Sequence, residues 1–102
     1  MEACLVISAL AEPRRRQILR LIRDRPKSTN DLRDALDITQ QAVSQHLQVL
    51  SEAGLVKADR EGRGRLYSLA PDGLDVLDSF LSELWPSGLQ RLKAAVEARR
   101  DS

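Results

Sequence analysis

The chain has 102 residues, 42% of them hydrophobic and 30% charged, with a formal net charge of +1. That length allows one domain built on a single core, and that composition argues against disorder. There is no apolar run of about 18 residues to mark a membrane span and no charged-then-apolar leader, so a cytoplasmic protein is expected; the lone Cys4 excludes an internal disulfide or a thiolate metal cluster.

The first segment, "EACLVISALA", is apolar nearly all round a helix and contains no Gly or Pro. Such a helix must be buried on more than one side, and in so small a chain the second surface is expected to be another subunit. The Glu12-Pro13 step ends it, because Pro favours the first position of a new helix. In "RRRQILRLIRDR" the residues Ile18, Leu21 and Ile22 form one stripe at i, i+3, i+4, with arginines around it, and Pro26 closes the segment. Ser28 is a good N-cap, and Asp31 favours the N-terminus of the short helix "TNDLRDALD", anchored by Leu32, Ala35 and Leu36. After the link "DIT", Thr39 caps a helix that ends at Gly54, which suits the left-handed position past a helix end. Two helices joined by a few residues have the outline of a helix-turn-helix.

The pattern then changes. "LVKADR" and "RLYSLA" are partly alternating runs separated by "EGRG", where Gly62 and Gly64 supply the freedom of a hairpin tip. Pro71-Asp72 opens a last helical segment with Leu74, Leu77, Leu81 and Leu84 on one stripe and Val76 and Phe80 on another, again asking for two burying surfaces. Pro86 and Gly88 interrupt it as a kink or a restart before "LQRLKAAVEARR". The layout predicts a mainly α fold with a small β-hairpin wing: a winged helix-turn-helix occupying the whole chain.

Turned at 100° per residue, the helix after Thr39 points Val43, Leu47 and Leu50 inward, with Ala42, Val49 and Ala53 to one side. Opposite them lie Gln41, Ser44, Gln45 and Gln48, with Gln40 at the flank. A solvated helix face is usually built from Glu and Lys. Amides and a hydroxyl in the first half of a recognition helix instead suit base edges in a major groove, where Gln pairs with adenine N6 and N7 and Ser donates or accepts. The predicted partner is double-stranded DNA, with Gln40, Gln41, Ser44, Gln45 and Gln48 reading bases.

Charge patterning agrees. Basic residues gather between Arg14 and Lys27 and again from Lys57 to Arg65, whereas acids gather at Asp31, Asp34 and Asp37 and at Asp72, Asp75, Asp78 and Glu83. One anionic partner on one face fits that asymmetry. Arg60, Arg63 and Arg65 on the wing are expected to reach a narrow minor groove or a phosphate. Arg14, Arg15 and Arg16 sit at a helix N-terminus, where one or two of them are expected to hold a phosphate; Thr39 and His46 complete the phosphate set. His46 lies near the apolar side of its helix, so its plainer reading is a side chain wedged against a neighbour and satisfied by a backbone group. Tyr67, sharing a strand face with Leu69, is expected to pack.

Together, "ALAEPRRRQILRLI", "STNDLRDALDITQQAVSQHLQVLSEAGLV" and "EGRGRLYSLAPDGL" resemble the ArsR family of bacterial repressors, most specifically in the Ser-x-His-Leu-x-x-Leu run and the Gly-Leu-Val after it. The resemblance implies a homodimeric repressor on an inverted-repeat operator, its interface made mainly by the first and last helices. Leu5, Leu10, Leu77, Leu81, Leu84 and Trp85 are the implied core and interface residues. The terminal helix with a Trp resembles a branch of the family that lacks metal sites. Where metal-sensing members carry Cys-x-Cys this chain has Arg33 and Ala35, and its last helix has Asp75, Asp78 and Glu83 but no His. Soft metals want thiolate or imidazole, so no metal and no other cofactor is expected, and no residue names a small-molecule effector. Arg14 stands where the family often has Thr, which leaves the cap of the second helix open.

The same residues bear on other functions. Cys4 is either a thiol sensor near the interface or an inert buried residue, burial being what raises a thiol pKa. A protein–protein module would want aromatics at its centre, and aromatics are 3% of the chain. One Cys, one His and no glycine-rich phosphate loop assemble no acid, base and nucleophile set, so an enzyme is not expected.

Overall fold

Local chemistry sets where each helix begins. Residues 3–62 and 64–100 are described by the structure, a computed structural model. Helix α1 spans Ala3–Ala11 and α2 spans Pro13–Asp24. Between them Glu12 is the N-cap of α2, its carboxylate accepting from the Arg14 N–H at 3.1 Å, with Pro13 in the first turn. The cap left open by Arg14 is therefore supplied two residues earlier. Helix α3, Thr29–Leu36, starts on a reciprocal capping box: the Ser28 hydroxyl accepts from the Asp31 N–H at 3.1 Å, and the Asp31 carboxylate accepts from the Ser28 N–H at 3.2 Å. Those bonds hold the Asp31 carboxyl below its ordinary pKa.

Helix α4 spans Gln40–Glu52, capped by Thr39, whose hydroxyl accepts from the Ala42 N–H at 3.0 Å. The turn joining α3 to α4 passes through Asp37 in the left-handed region at φ 53°, which Asp tolerates better than most residues. Strands β1 (Val56–Glu61) and β2 (Gly64–Leu69) form an antiparallel hairpin with Val56 opposite Leu69 and Glu61 opposite Gly64. Gly62 begins its connection at φ 61°; Arg63, expected at the tip, lies outside the described residues. A two-way backbone bridge between Lys27 and Tyr67, at 3.0 and 2.8 Å, ties the α2–α3 link to β2 and so fixes the wing against the helix-turn-helix.

The core is one cluster drawn from α1 to α4 and the start of the wing: Val6, Ala9, Ile18, Ile22, Leu32, Leu36, Val43, Leu47, Leu50, Ala53, Leu55 and Val56. Tyr67 and Leu69 pack on its edge, as expected. Helix α5, Pro71–Leu84, docks through Gly73, whose N–H donates to the Gly54 carbonyl at 2.8 Å. A Cβ on Gly73 would run into the Ala53 carbonyl oxygen, so glycine is what lets α5 approach.

The interruption at Pro86 and Gly88 is a restart. Helix α6, Gly88–Arg100, begins after Trp85 has left helical geometry. Gly88 lies against the Trp85 ring, where any Cβ would overlap it, and the Arg91 guanidinium stands 5.9 Å from the ring centroid, within cation–π range. No helix among the described residues is long and apolar enough to cross a membrane.

Candidate nucleic-acid interface

Helix α4 has the two-sided character expected of it. Val43, Leu47 and Leu50 are buried, and Gln40, Gln41, Ser44, Gln45 and Gln48 are all exposed. Two of the amides are engaged at the limit of hydrogen bonding: Gln40 accepts from Arg33 at 3.5 Å, and Gln48 donates to Glu52 at 3.4 Å. Gln41, Ser44 and Gln45 make no side-chain hydrogen bond among the described residues, which leaves their donors and acceptors available outward.

The wing comes next to this face. Arg60 and Arg65 are opposite each other in the hairpin register and both are exposed. Like charges placed across a ladder are destabilising on their own; an anion between them reverses the sign. Arg65 and Gly64 line a polar cleft of about 190 Å³ together with Ser28, Thr29 and Asn30 at the start of α3 and Gln40 at the start of α4. The fold thus brings together the wing and two helix N-termini. Thr29 and Asn30 escaped the sequence reading; their position just after the Ser28 cap was the available signal.

The three arginines at the start of α2 are not equivalent. Arg14 is exposed and reaches the Leu36 carbonyl at 3.4 Å and Gln17 at 3.3 Å. Arg15 and Arg16 are half-buried and turn back onto α1: Arg15 donates to the Ala9 and Ser8 carbonyls at 2.7 and 3.1 Å, and Arg16 to the Leu10 and Ala11 carbonyls at 2.8 and 3.1 Å. Of the three, Arg14 is the one left facing outward.

His46 is half-buried, as its place on the helix wheel suggested, but the expected backbone partner is absent among the described residues. Burial lowers its pKa, and the positive charges of Arg15 and Arg14 lower it further, against an opposing pull from Glu12. The ring thus stands within electrostatic reach of the charged residues at the start of α2. Thr39 is exposed and serves first as the α4 cap.

The implied interface residues lie on α1 and on α5 with its C-cap, not on α4 or the hairpin. Leu5, Leu81, Leu84 and Trp85 are exposed, with Leu84 at 68%, whereas Leu10 and Leu77 are half-buried against the core. Ile7, Leu74, Leu92 and Val96 extend the same apolar exposure over α1, α5 and α6. Cys4 is exposed too, which corrects the expectation of an inert buried thiol: α1 is apolar all round because it has an outward face, and Cys4 stands on that side of the chain's own core. Among the described residues no group of three His, Cys, Asp or Glu side chains could hold a metal ion.

Comparison with known proteins places this geometry. A family described as a helix-turn-helix domain matches residues 10–58. The HTH-type transcriptional regulator NmtR of Mycobacterium tuberculosis is 46% identical over 63 residues, 62% of this chain and 52% of that protein. The chain therefore spans about half the length of this relative. The HTH-type transcriptional regulator Rv2034 of the same organism is 34% identical over 93 residues, covering 91% of this chain and 87% of that protein. A solution structure from Mycobacterium bovis, the homodimeric winged helix-turn-helix DNA-binding domain of a possible ArsR-family transcriptional regulator, superposes with a TM-score of 0.66 at 30% identity, covering 82% of this chain and 78% of that one. With the order of four helices, a hairpin and two further helices already traced, the chain belongs to the ArsR family of winged helix-turn-helix transcriptional regulators.

Proposed function

We propose that the protein is a cytoplasmic homodimeric repressor that binds an inverted-repeat operator, with α4 in the major groove and the hairpin on the minor groove or backbone. The observation that carries this reading is the outward face of α4, where Gln41, Ser44 and Gln45 are exposed and unpaired and Gln40 at the helix start shares a cleft with Arg65 of the wing. Gln40, Gln41, Ser44, Gln45 and Gln48 read bases; Arg60, Arg63 and Arg65, with Arg14 and Thr39, hold phosphates. Leu5, Leu81, Leu84 and Trp85 supply the apolar surface that a second copy covers. Two symmetric recognition helices would then lie about one DNA turn, ~34 Å, apart. Exposed large hydrophobics lie on α1, α5 and α6 rather than on α4, which favours DNA over a protein partner for the α4 face.

Selection of the purified protein against a random DNA library at two salt concentrations tests this. The expected result is an inverted repeat with half-sites about 10 base pairs apart. Gln41→Ala or Gln45→Ala should then relax preference at particular bases, and Arg65→Ala should weaken binding to all sequences and make the salt dependence shallower. Binding with no sequence motif at either salt concentration would overturn the reading.

A further inference from the structure

The C-terminus of α1 lacks the usual means of satisfying its carbonyls. The last turn of any helix leaves about four C=O groups without helical partners, and a glycine past the end commonly turns the backbone N–H groups back to meet them. Here the chain continues as Glu12 and Pro13, and proline has no N–H to give. The donors come instead from one turn into the next helix. Arg15 bonds the Ser8 and Ala9 carbonyls and Arg16 bonds the Leu10 and Ala11 carbonyls, all between 2.7 and 3.1 Å. Two positive charges thereby sit at the negative end of the α1 dipole, the favourable sign, through charge-assisted bonds that are stronger than neutral ones.

The consequence is mechanical. Helix α1, with nine residues, is too short to persist without tertiary contacts. Its inner side is held by Val6 and Ala9 in the core, and its outer side carries the exposed Leu5 and Ile7. The same start of α2 reaches the helix-turn-helix through Arg14, whose guanidinium donates to the Leu36 carbonyl at the end of α3. We propose that Arg15 and Arg16 are positioning residues: they clamp α1 to α2 and thereby fix the apolar outer face at a set orientation to the recognition helix. Resting on the dimeric DNA-reading function proposed above, the clamp sets the distance between two half-sites, and it takes these two arginines out of the phosphate-binding set.

Arg16→Gln, Arg15→Gln and the double variant test this with two independent readouts. Amide hydrogen exchange needs no DNA. It should show protection falling in α1 while α3 and α4 hold theirs, and unchanged α1 protection would overturn the clamp. For DNA, affinity for the selected inverted repeat should fall about tenfold, equivalent to about 1.4 kcal/mol. Binding to an isolated half-site should change less than about twofold, tolerance of altered spacing should widen, and the salt slope should stay the same. A phosphate contact predicts the reverse: full-site and half-site affinity fall together, and the slope becomes shallower by about 0.9 per arginine. Arg15→Lys separates the two roles at constant charge, because lysine keeps a phosphate contact but lacks the guanidinium fork whose Nε and Nη2 span the Ala9 and Ser8 carbonyls. If the double variant unfolds, the single variants carry the same comparison. If the wild type selects no inverted repeat, the spacing role falls with the DNA reading, and that failure is seen in the wild type before any variant is made.

Discussion

Helices α4 and α6 each run for 13 residues, yet they are held in opposite ways. Helix α4 begins on a hydroxyl cap and sinks Val43, Leu47 and Leu50 into the core. Helix α6 leans chiefly on α5 and presents Leu92 and Val96 to the outside at 59% and 48% exposure. A helix of this length is marginal in water without tertiary packing. Helix α4 therefore belongs to the fold of one chain, whereas α6 has apolar side chains whose burial depends on something else, for which a second copy is the proposed occupant.

Side-chain truncation on each helix should give the largest difference between them. Leu50→Ala should cost about 2–5 kcal/mol, the range for a fully buried leucine, read as a lower denaturant midpoint at concentrations where the chain is monomeric. Leu92→Ala, at concentrations where the chain is monomeric, should cost less than about 0.5 kcal/mol. Equal losses would mean that α6 is as much a part of the single-chain core as α4. A smaller effect, visible in association rather than folding, is expected from Leu84→Glu. It leaves monomer unfolding nearly unchanged but places an unpaired carboxylate in the proposed interface, weakening self-association at least tenfold by sedimentation, or about 1.4 kcal/mol. An unchanged sedimentation profile would remove the α5 face from the interface.

How legible each region was follows from where its partners lie. Helix α4 could be read in full, because the 3.6-residue spacing of Val43, Leu47 and Leu50, the Thr39 cap and Gly54 are all local marks. The Ser28 cap with Asp31 in the first turn, and the hairpin of β1 and β2, were readable for the same reason. The α5–α6 restart was half-readable: Pro86 and Gly88 mark a break, but only the Trp85 ring packing against Gly88 decides between a kink and a new helix. Cys4 was misplaced because apolar surroundings in sequence cannot say which side of α1 the chain itself covers. The destination of Arg15 and Arg16 was hidden, since a backbone carbonyl carries no sequence signature as an acceptor. The one available signal was Pro13, which removes a donor that would otherwise have followed α1.

The two helices should also differ, more weakly, in their response to pH. His46 is the α4 side chain whose charged form the fold disfavours, by burial first and by Arg15 and Arg14 next, whereas the titratable side chains described on α6 are exposed. Because its folded-state pKa lies below the ordinary 6.5, the unfolded chain binds more protons just under that pH, and stability there rises with pH. Stability should therefore be level from neutral pH down to about 6.5, then decline as the pH falls toward the folded-state value. His46→Gln should flatten that stretch while leaving the loss at lower pH, where the Asp31 carboxylate of the α3 capping box begins to protonate. The slope is expected to be shallow, since the ring is only half-buried. A slope of the opposite sign, with stability rising on acidification, would mean that Glu12 rather than the arginines dominates at the ring. It would also mean that the corner joining α1, α2 and α4 is less positive than the clamp geometry requires.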